Sequence, residues 1–330
     1  MKDFEYAQPS TEADVLELLS SEPGKTELLA GGTDLIGLMK RMLVTPDRVV
    51  NICDVDSMCH IELDSIGNLW IGAGVHLDEF MNDAETDAFP AVKQAIQGIS
   101  SIQLQSQGTL GGELLRRPTC WYFRDGHGLL ARNGRMAVEG DNRFHAILGN
   151  RGAAKFVSAS RLAPALISLG AQIRVVGPQD EEFIPLETLY RTPHNDEERE
   201  NVLASNQLMT HIILPPVEAD KHLSAAYEVR HGEGPDQPLA AAAATLDVVR
   251  GIVSQAKIVL GQVAPIPWVS TEAAIAMVGN PITEQTAEIA GVEALANALP
   301  LSNNQYKIQL AQVAVKRAIL RAAGMDTGGF

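Results

Sequence analysis

The chain has 330 residues, 45% of them hydrophobic and 20% charged, enough apolar material for about two globular domains. With 41 acidic against 26 basic residues its net charge is −15, which argues against nucleic acid and anionic membrane surfaces and suits docking on other proteins. No run approaches the ~18 uncharged apolar residues of a bilayer span, and Met1-Lys2-Asp3-Phe4-Glu5-Tyr6 has no apolar signal core. Three cysteines, Cys53, Cys59 and Cys120, make no disulfide framework, so a cytoplasmic location is expected.

Residues 4–20 open with a short extended piece and the turn Pro9-Ser10-Thr11-Glu12. Ser10 or Thr11 can cap the helix that follows, with Val15, Leu16, Leu18 and Leu19 as its apolar face. Residues 27–30 are expected as a strand feeding Gly31-Gly32, after which Leu35, Leu38, Met39 and Met42 recur at helical spacing. Strands are expected at 48–52 and 69–74, and helices at 75–81 and 91–99. Further on, 163–169 is helical, 172–176 is a strand, and the alternation ends at 210–216 with Pro215-Pro216. A charged stretch, 218–221, follows that stop, and the boundary is expected there, dividing the chain into 1–217 and 218–330.

The second part has a different rhythm. Residues 225–230 read as a strand, while 239–250 is Ala-rich and helical by propensity alone. It nevertheless pairs with 256–261 as a hairpin through Arg250-Gly251, so strand is expected. Helices are expected at 272–277, 287–298 and 306–323, and no internal repeat is present.

Two segments carry the chemistry. Leu28-Leu29-Ala30-Gly31-Gly32-Thr33-Asp34-Leu35 is echoed by Thr109-Leu110-Gly111-Gly112-Glu113-Leu114. Each reads as an apolar approach, a paired-glycine turn and residues that open a helix. Paired glycines let backbone N–H groups converge on an anion, and a helix N-terminus adds positive dipole. Two such turns suit the two adjacent phosphates of a dinucleotide. The spacing is not GxGxxG, and an ordinary strand-to-helix turn explains either pair taken alone.

In Cys120-Trp121-Tyr122-Phe123-Arg124, alternation would bury Trp121 and Phe123 as core at a domain seam, in preference to flavin stacking. The 8 histidines show no HxxxH or HExxH spacing, and no nucleophile elbow, P-loop or kinase signature occurs. No catalytic side chain and no metal site are therefore expected in this chain.

The motif Leu29-Ala30-Gly31-Gly32-Thr33-Asp34-Leu35 followed by Leu38-Met39-Lys40, then Thr109-Leu110-Gly111-Gly112, then Val263-Ala264-Pro265-Ile266-Pro267-Trp268, resembles the FAD-binding (medium) subunit of molybdenum hydroxylases. That family includes xanthine dehydrogenase, carbon monoxide dehydrogenase and aldehyde oxidoreductase. The resemblance runs along nearly the whole chain. It implies an α+β fold: an FAD-binding domain of two α+β subdomains, then a smaller C-terminal domain with an antiparallel sheet and helices. It also implies an oxidoreductase subunit inside a hetero-oligomer. A molybdopterin-binding large subunit and a two-iron–two-sulfur small subunit would deliver electrons to this FAD, which passes them to NAD, ferredoxin or oxygen. The implied cofactor-binding residues are Leu29, Ala30, Gly31, Gly32, Thr33, Asp34, Leu35, Thr109, Gly111, Gly112, Glu113, Arg161 and Asp236.

The chain departs from the family's pattern at several points. Glu113 stands where members usually carry Asn, Leu104 where many have Arg, Arg161 where many have Asp and Glu228 where many have Lys. A carboxylate about 5 Å from a phosphate costs roughly 3 kcal/mol at an effective dielectric near 20, about two decades in affinity. The resemblance therefore implies FAD binding that is weakened, not lost, with Arg161 offsetting Glu113 if the two lie close. The alternative is a degenerate, flavin-free structural or assembly subunit of the same kind of complex. One related group holds a four-iron–four-sulfur cluster in an insertion after a motif like residues 120–124. Here the comparable insertion, 125–142, has no cysteine, so no iron–sulfur cluster is expected in this chain.

Overall fold

The computed structural model of the chain describes residues 1–218, 221–232 and 236–327. Its first sheet is parallel. Strands β1 (Glu5–Ala7), β2 (Thr26–Leu29) and β3 (Arg48–Asn51) lie in the order β1-β3-β2, with α1 (Glu12–Leu18) and α2 (Leu35–Lys40) as the crossovers. Thr11 caps α1, its hydroxyl accepting the Asp14 amide at 3.2 Å, and Val15 is fully buried. α2 stops short of the expected Met42, which has φ +60° and is 53% exposed. The Leu43 and Met42 amides turn back to the Leu38 and Met39 carbonyls at 3.0 and 3.1 Å, closing the helix with a left-handed residue.

The second sheet is antiparallel, in the order β4-β5-β8-β6-β7. Its strands are β4 (Ile61–Leu63), β5 (Leu69–Gly72), β6 (Gln172–Val176), β7 (Glu181–Pro185) and β8 (Leu208–Leu214). Between β5 and β6 run α3 (Leu77–Asn82), α4 (Pro90–Gln97), α5 (Ile102–Gln107), α6 (Leu110–Leu114), α7 (Trp121–Arg124), α8 (Arg135–Glu139) and α9 (Ala163–Ser168). Because α7 is a helical turn, the alternation expected at 121–123 does not occur. Phe123 is buried, while Trp121 and Tyr122 are half-buried, with their rings 5.5 and 5.6 Å from that of His145.

The third sheet comprises β9 (His222–Val229), β10 (Ala240–Val249), β11 (Ile252–Gly261) and β12 (Trp268–Val269), in the antiparallel order β12-β11-β10-β9. Helices α10 (Thr271–Met277), α11 (Glu284–Ala294) and α12 (Tyr306–Ala322) accompany it, giving the α+β architecture as a whole. The β10–β11 hairpin turns through Arg250 (φ +54°) and Gly251 (φ +80°), the two left-handed residues of a type I′ turn. Strand prevails over alanine's helix preference because β10 is buried on both faces. Ala240, Ala242, Ala244 and Leu246 pack into a cluster with residues of α10, α11 and α12, and Ala243 faces the core shared with α4 and α9. Small side chains let helices close on both faces of the strand.

Lys307 of α12 is 1% exposed and donates to the carbonyls of Phe144 (3.2 Å), His145 (3.1 Å) and Gln262 (2.7 Å). Burial pulls its pKa down to about 7, and three carbonyl acceptors, one for each ammonium N–H, favour the charged form against that desolvation. Gln262 itself has φ +62°, a strained conformation for a side chain of its size, and this bond helps hold it. Among the described residues no helix is long and apolar enough to cross a membrane.

Candidate functional site

The first glycine pair leaves β2 and enters α2 through a loop whose amides are uncommitted. Among the described residues, no acceptor is paired with the N–H of Gly31, Gly32, Thr33, Asp34 or Leu35. Gly32 takes φ +69°, and a left-handed residue in such a run bends successive amides toward one concavity, the geometry of an anion-binding nest. Thr33 is exposed beside them. This loop lies directly against the second motif. A Cβ on Gly31 would stand 1.5 Å from the Gln107 carbonyl oxygen and 3.3 Å from Gly108 Cα, so only glycine allows the approach. Two segments about eighty residues apart in sequence are thereby brought into contact.

The second pair is built differently from the first, and the expectation of a turn ahead of a helix is corrected. Gly111 and Gly112 lie inside α6, whose cap is Thr109, and its hydroxyl accepts the Gly112 amide at 3.1 Å. The remaining amides of α6 are also spent. Leu110 and Gly111 donate to Val75 and Ala73 carbonyls at 3.0 and 2.9 Å, and Glu113 donates to Thr109 at 2.9 Å. Gly111 has a packing reason of its own, because a Cβ there would meet Ala73 Cβ at 2.7 Å. What this segment still offers a ligand is the amide and the hydroxyl hydrogen of Thr109 and the surface beside Gly112, not a second row of open amides.

Asp34, whose backbone belongs to the expected phosphate loop, turns its carboxylate inward. It accepts Arg124 Nη1 at 2.8 Å and the Arg117 amide at 3.0 Å. Arg124 also donates to the carbonyls of Pro118 (2.7 Å) and Arg117 (2.8 Å), so α7 is pinned to the first glycine loop. Sequence reasoning passed over Arg124 in that role; its only signal was a lone basic residue closing an aromatic run.

Glu113 and Arg161 do lie close, but the contact runs through the backbone. The Arg161 amide donates to Glu113 Oε1 at 3.0 Å, and Arg116 Nη1 lies 3.6 Å from Oε2. Burial pushes the Glu113 carboxyl above the usual range, with Arg116 and the Arg161 amide opposing that shift. The Arg161 guanidinium is committed elsewhere, to a bidentate pair with Glu228 at 2.9 and 2.7 Å, its side chain only 1% exposed. Asp236 is exposed beside residues 233–235, which lie outside the described residues. Leu29, Ala30 and Leu35 frame the first loop without a side-chain polar group to offer.

Across the two ends of residues 125–142, Cys120 points its sulfur at His145, with Sγ 3.2 Å from Nε2, and burial raises the thiol pKa. Among the described residues no group of three or more His, Cys, Asp or Glu is placed to hold a metal ion.

The arrangement fits a phosphate-bearing ligand: open amides on one loop, a hydroxyl on the adjoining segment, and the nearby Asp34 charge neutralised by Arg124. Residues 2–217 match the family described as FAD binding domain in molybdopterin dehydrogenase, and 225–322 match the CO dehydrogenase flavoprotein C-terminal domain. The chain is 29% identical to the aldehyde oxidoreductase FAD-binding subunit PaoB of Escherichia coli (strain K12), covering 94% of this chain and 96% of that one. It is 26% identical to the carbon monoxide dehydrogenase medium chain of Afipia carboxidovorans, covering 97% and 96%. In fold it is similar to reconstituted CO dehydrogenase from Oligotropha carboxidovorans, with a TM-score of 0.77 and 23% identity over 98% of this chain and 99% of that one. The chain belongs to the FAD-binding (medium) subunits of the molybdenum hydroxylases, the oxidoreductase family of the xanthine, carbon monoxide and aldehyde dehydrogenating enzymes.

Proposed function

We propose that this chain holds FAD and relays electrons within a molybdenum hydroxylase, taking them from iron–sulfur clusters of partner subunits and delivering them to an external acceptor. Bound FAD supplies the exchange between one- and two-electron steps; the chain supplies position and electrostatics. The observation that carries the reading is the run of five uncommitted amides, Gly31 through Leu35, pressed against Gln107 by a glycine that nothing larger can replace. In this reading those amides and Thr33 bind the diphosphate, and Thr109 donates from the neighbouring segment. Asp34 and Arg124 hold the loop, and Glu113 and Arg161 act behind it. Residues 1–217 form the flavin domain and 218–330 the C-terminal domain. The partners are a molybdopterin-binding large subunit and a two-iron–two-sulfur small subunit, in the cytoplasm, with no nucleic acid or membrane involved.

The second reading, a flavin-free structural or assembly subunit, draws on the saturated amides of α6 and the carboxylate of Glu113 behind them. Reconstitution of the purified chain with excess FAD separates the two. Oxidised-flavin absorbance retained through gel filtration, with a raised melting temperature, supports the relay. Colourless protein with an unchanged melt refutes it and leaves the structural role.

A further inference from the structure

The buried ion pair between Arg161 and Glu228 sits at the seam between the third sheet and the approach to α9. Glu228 belongs to β9 of the third sheet, and Arg161 stands just before Leu162, the N-cap of α9. The pair is bidentate, with both side chains nearly sealed from water (1% and 9% exposed). Glu228 has little freedom to retreat, because its carboxylate fills the space where a Cβ of Gly98 would be, at the end of α4. On its other side, the Arg161 main chain holds Glu113 Oε1 at 3.0 Å, and Glu113 follows the glycines of α6 directly. The far end of that helix is fixed by Tyr190, whose hydroxyl donates to the Leu114 carbonyl at 3.0 Å.

Other polar contacts across the same seam do not reach the glycines. Ala226 N–H donates to Gln94 Oε1 at 2.8 Å, and the Thr245 hydroxyl bonds the Ser168 hydroxyl at 3.0 Å. The link Glu228–Arg161–Glu113 thus runs unbroken from the third sheet to the segment that lies against the first glycine loop.

We infer that Glu113, Arg161 and Glu228 work as one unit that transmits the seating of the third sheet to residues 109–112, making Arg161 and Glu228 positioning residues for nucleotide binding. The inference rests on the FAD reading for its ligand. A rigid fork is required at position 161, because a carboxylate held by one donor alone could swing without moving the backbone it is attached to.

The test uses the full chain, FAD titration by flavin fluorescence, and amide hydrogen exchange of residues 109–114 without FAD. Glu228→Gln should weaken FAD about tenfold and speed exchange at 109–114, and both effects should vanish when Glu113→Ala has already cut the link. Thr245→Val loosens the same seam without touching the link, so it should leave affinity and exchange at 109–114 within about twofold of the parent. Equal losses from Glu228→Gln with and without Glu113→Ala, or a loss from Thr245→Val as large, would overturn the inference. If Glu228→Gln does not fold, Arg161→Lys takes its place, keeping the charge while losing the fork. A parent chain that binds no FAD sinks the FAD reading alone, and the exchange measurements then decide the link by themselves.

Discussion

Gly31→Ala tests the contact between the two glycine segments most directly. The added methyl would start 1.5 Å from the Gln107 carbonyl oxygen, and real Cβ atoms essentially never approach within 3.0 Å, so the loop and Gln107 must part by about 1.5 Å. Forced overpacking of this kind costs about 1–3 kcal/mol of stability. The effect on ligand binding is larger. A 1.5 Å displacement carries a good 2.9 Å hydrogen bond beyond 4 Å, and each charge-assisted bond to a phosphate contributes about 1.5–3 kcal/mol. Losing two of them weakens FAD by roughly two to four decades. Gly37, six residues on and exposed in α2, has nothing within 4 Å of the same added methyl. Gly37→Ala should therefore stabilise the chain by about 0.5–1 kcal/mol and leave FAD affinity unchanged. Urea unfolding and FAD titration of both variants are the assay. Gly31→Ala protein binding FAD within threefold of the parent would refute the idea that this approach shapes the site.

Three other outcomes follow from the same geometry. Arg124→Met removes three hydrogen bonds at once and leaves the Asp34 carboxylate half-buried without its cation; about 2 kcal/mol of stability should go, with FAD affinity, by urea unfolding and titration. His145, held by burial at a pKa of about 4 against 6.5 in the unfolded chain, takes up its proton only in unfolded protein between those values. Its stability contribution is complete above pH 6.5 and drains as pH falls toward 4, by about 3 kcal/mol in all, and the pH slope measured by urea unfolding should flatten in His145→Phe. At the β10–β11 turn, Arg250→Asn places a residue that tolerates the left-handed region ahead of Gly251, and denaturation should show a gain of about 0.5 kcal/mol.

Local pattern made most of the elements legible. The alternation of strand and helix through the first two sheets, the break at Pro215-Pro216 and the hairpin at Arg250-Gly251 are written in periodicity and turn chemistry. The Ala-rich β10 was readable as a strand only through its partner, because alanine's own preference points the other way and burial on two faces is a tertiary fact. The first glycine loop was equally legible, since apolar strand, paired glycine and helix start are local signals. The second pair was misjudged because identical residues serve another purpose there. Ala73, more than thirty residues away, captures the Gly111 amide, and nothing in the pair's own sequence announces that.

Charge was the least legible property. Arg161 and Glu228 each look foreign to the family's pattern when taken singly. In the folded chain they neutralise one another at 2.7 and 2.9 Å, so the sign is reversed at both ends of one pair and no bare charge faces the site. Glu113 alone still weighs against flavin binding. Asp34 shows the converse. Its position beside the glycines suggests a ligand contact, yet a distant arginine claims the carboxylate and leaves the backbone to meet the ligand.

The three-carbonyl cage around Lys307 ties distant parts of the chain to one ammonium. Its acceptors come from the exit of the 125–142 insertion and from the strained residue after β11, and the cation that satisfies them resides on α12. One ammonium on α12 thus clasps two segments that stand more than a hundred residues apart in sequence.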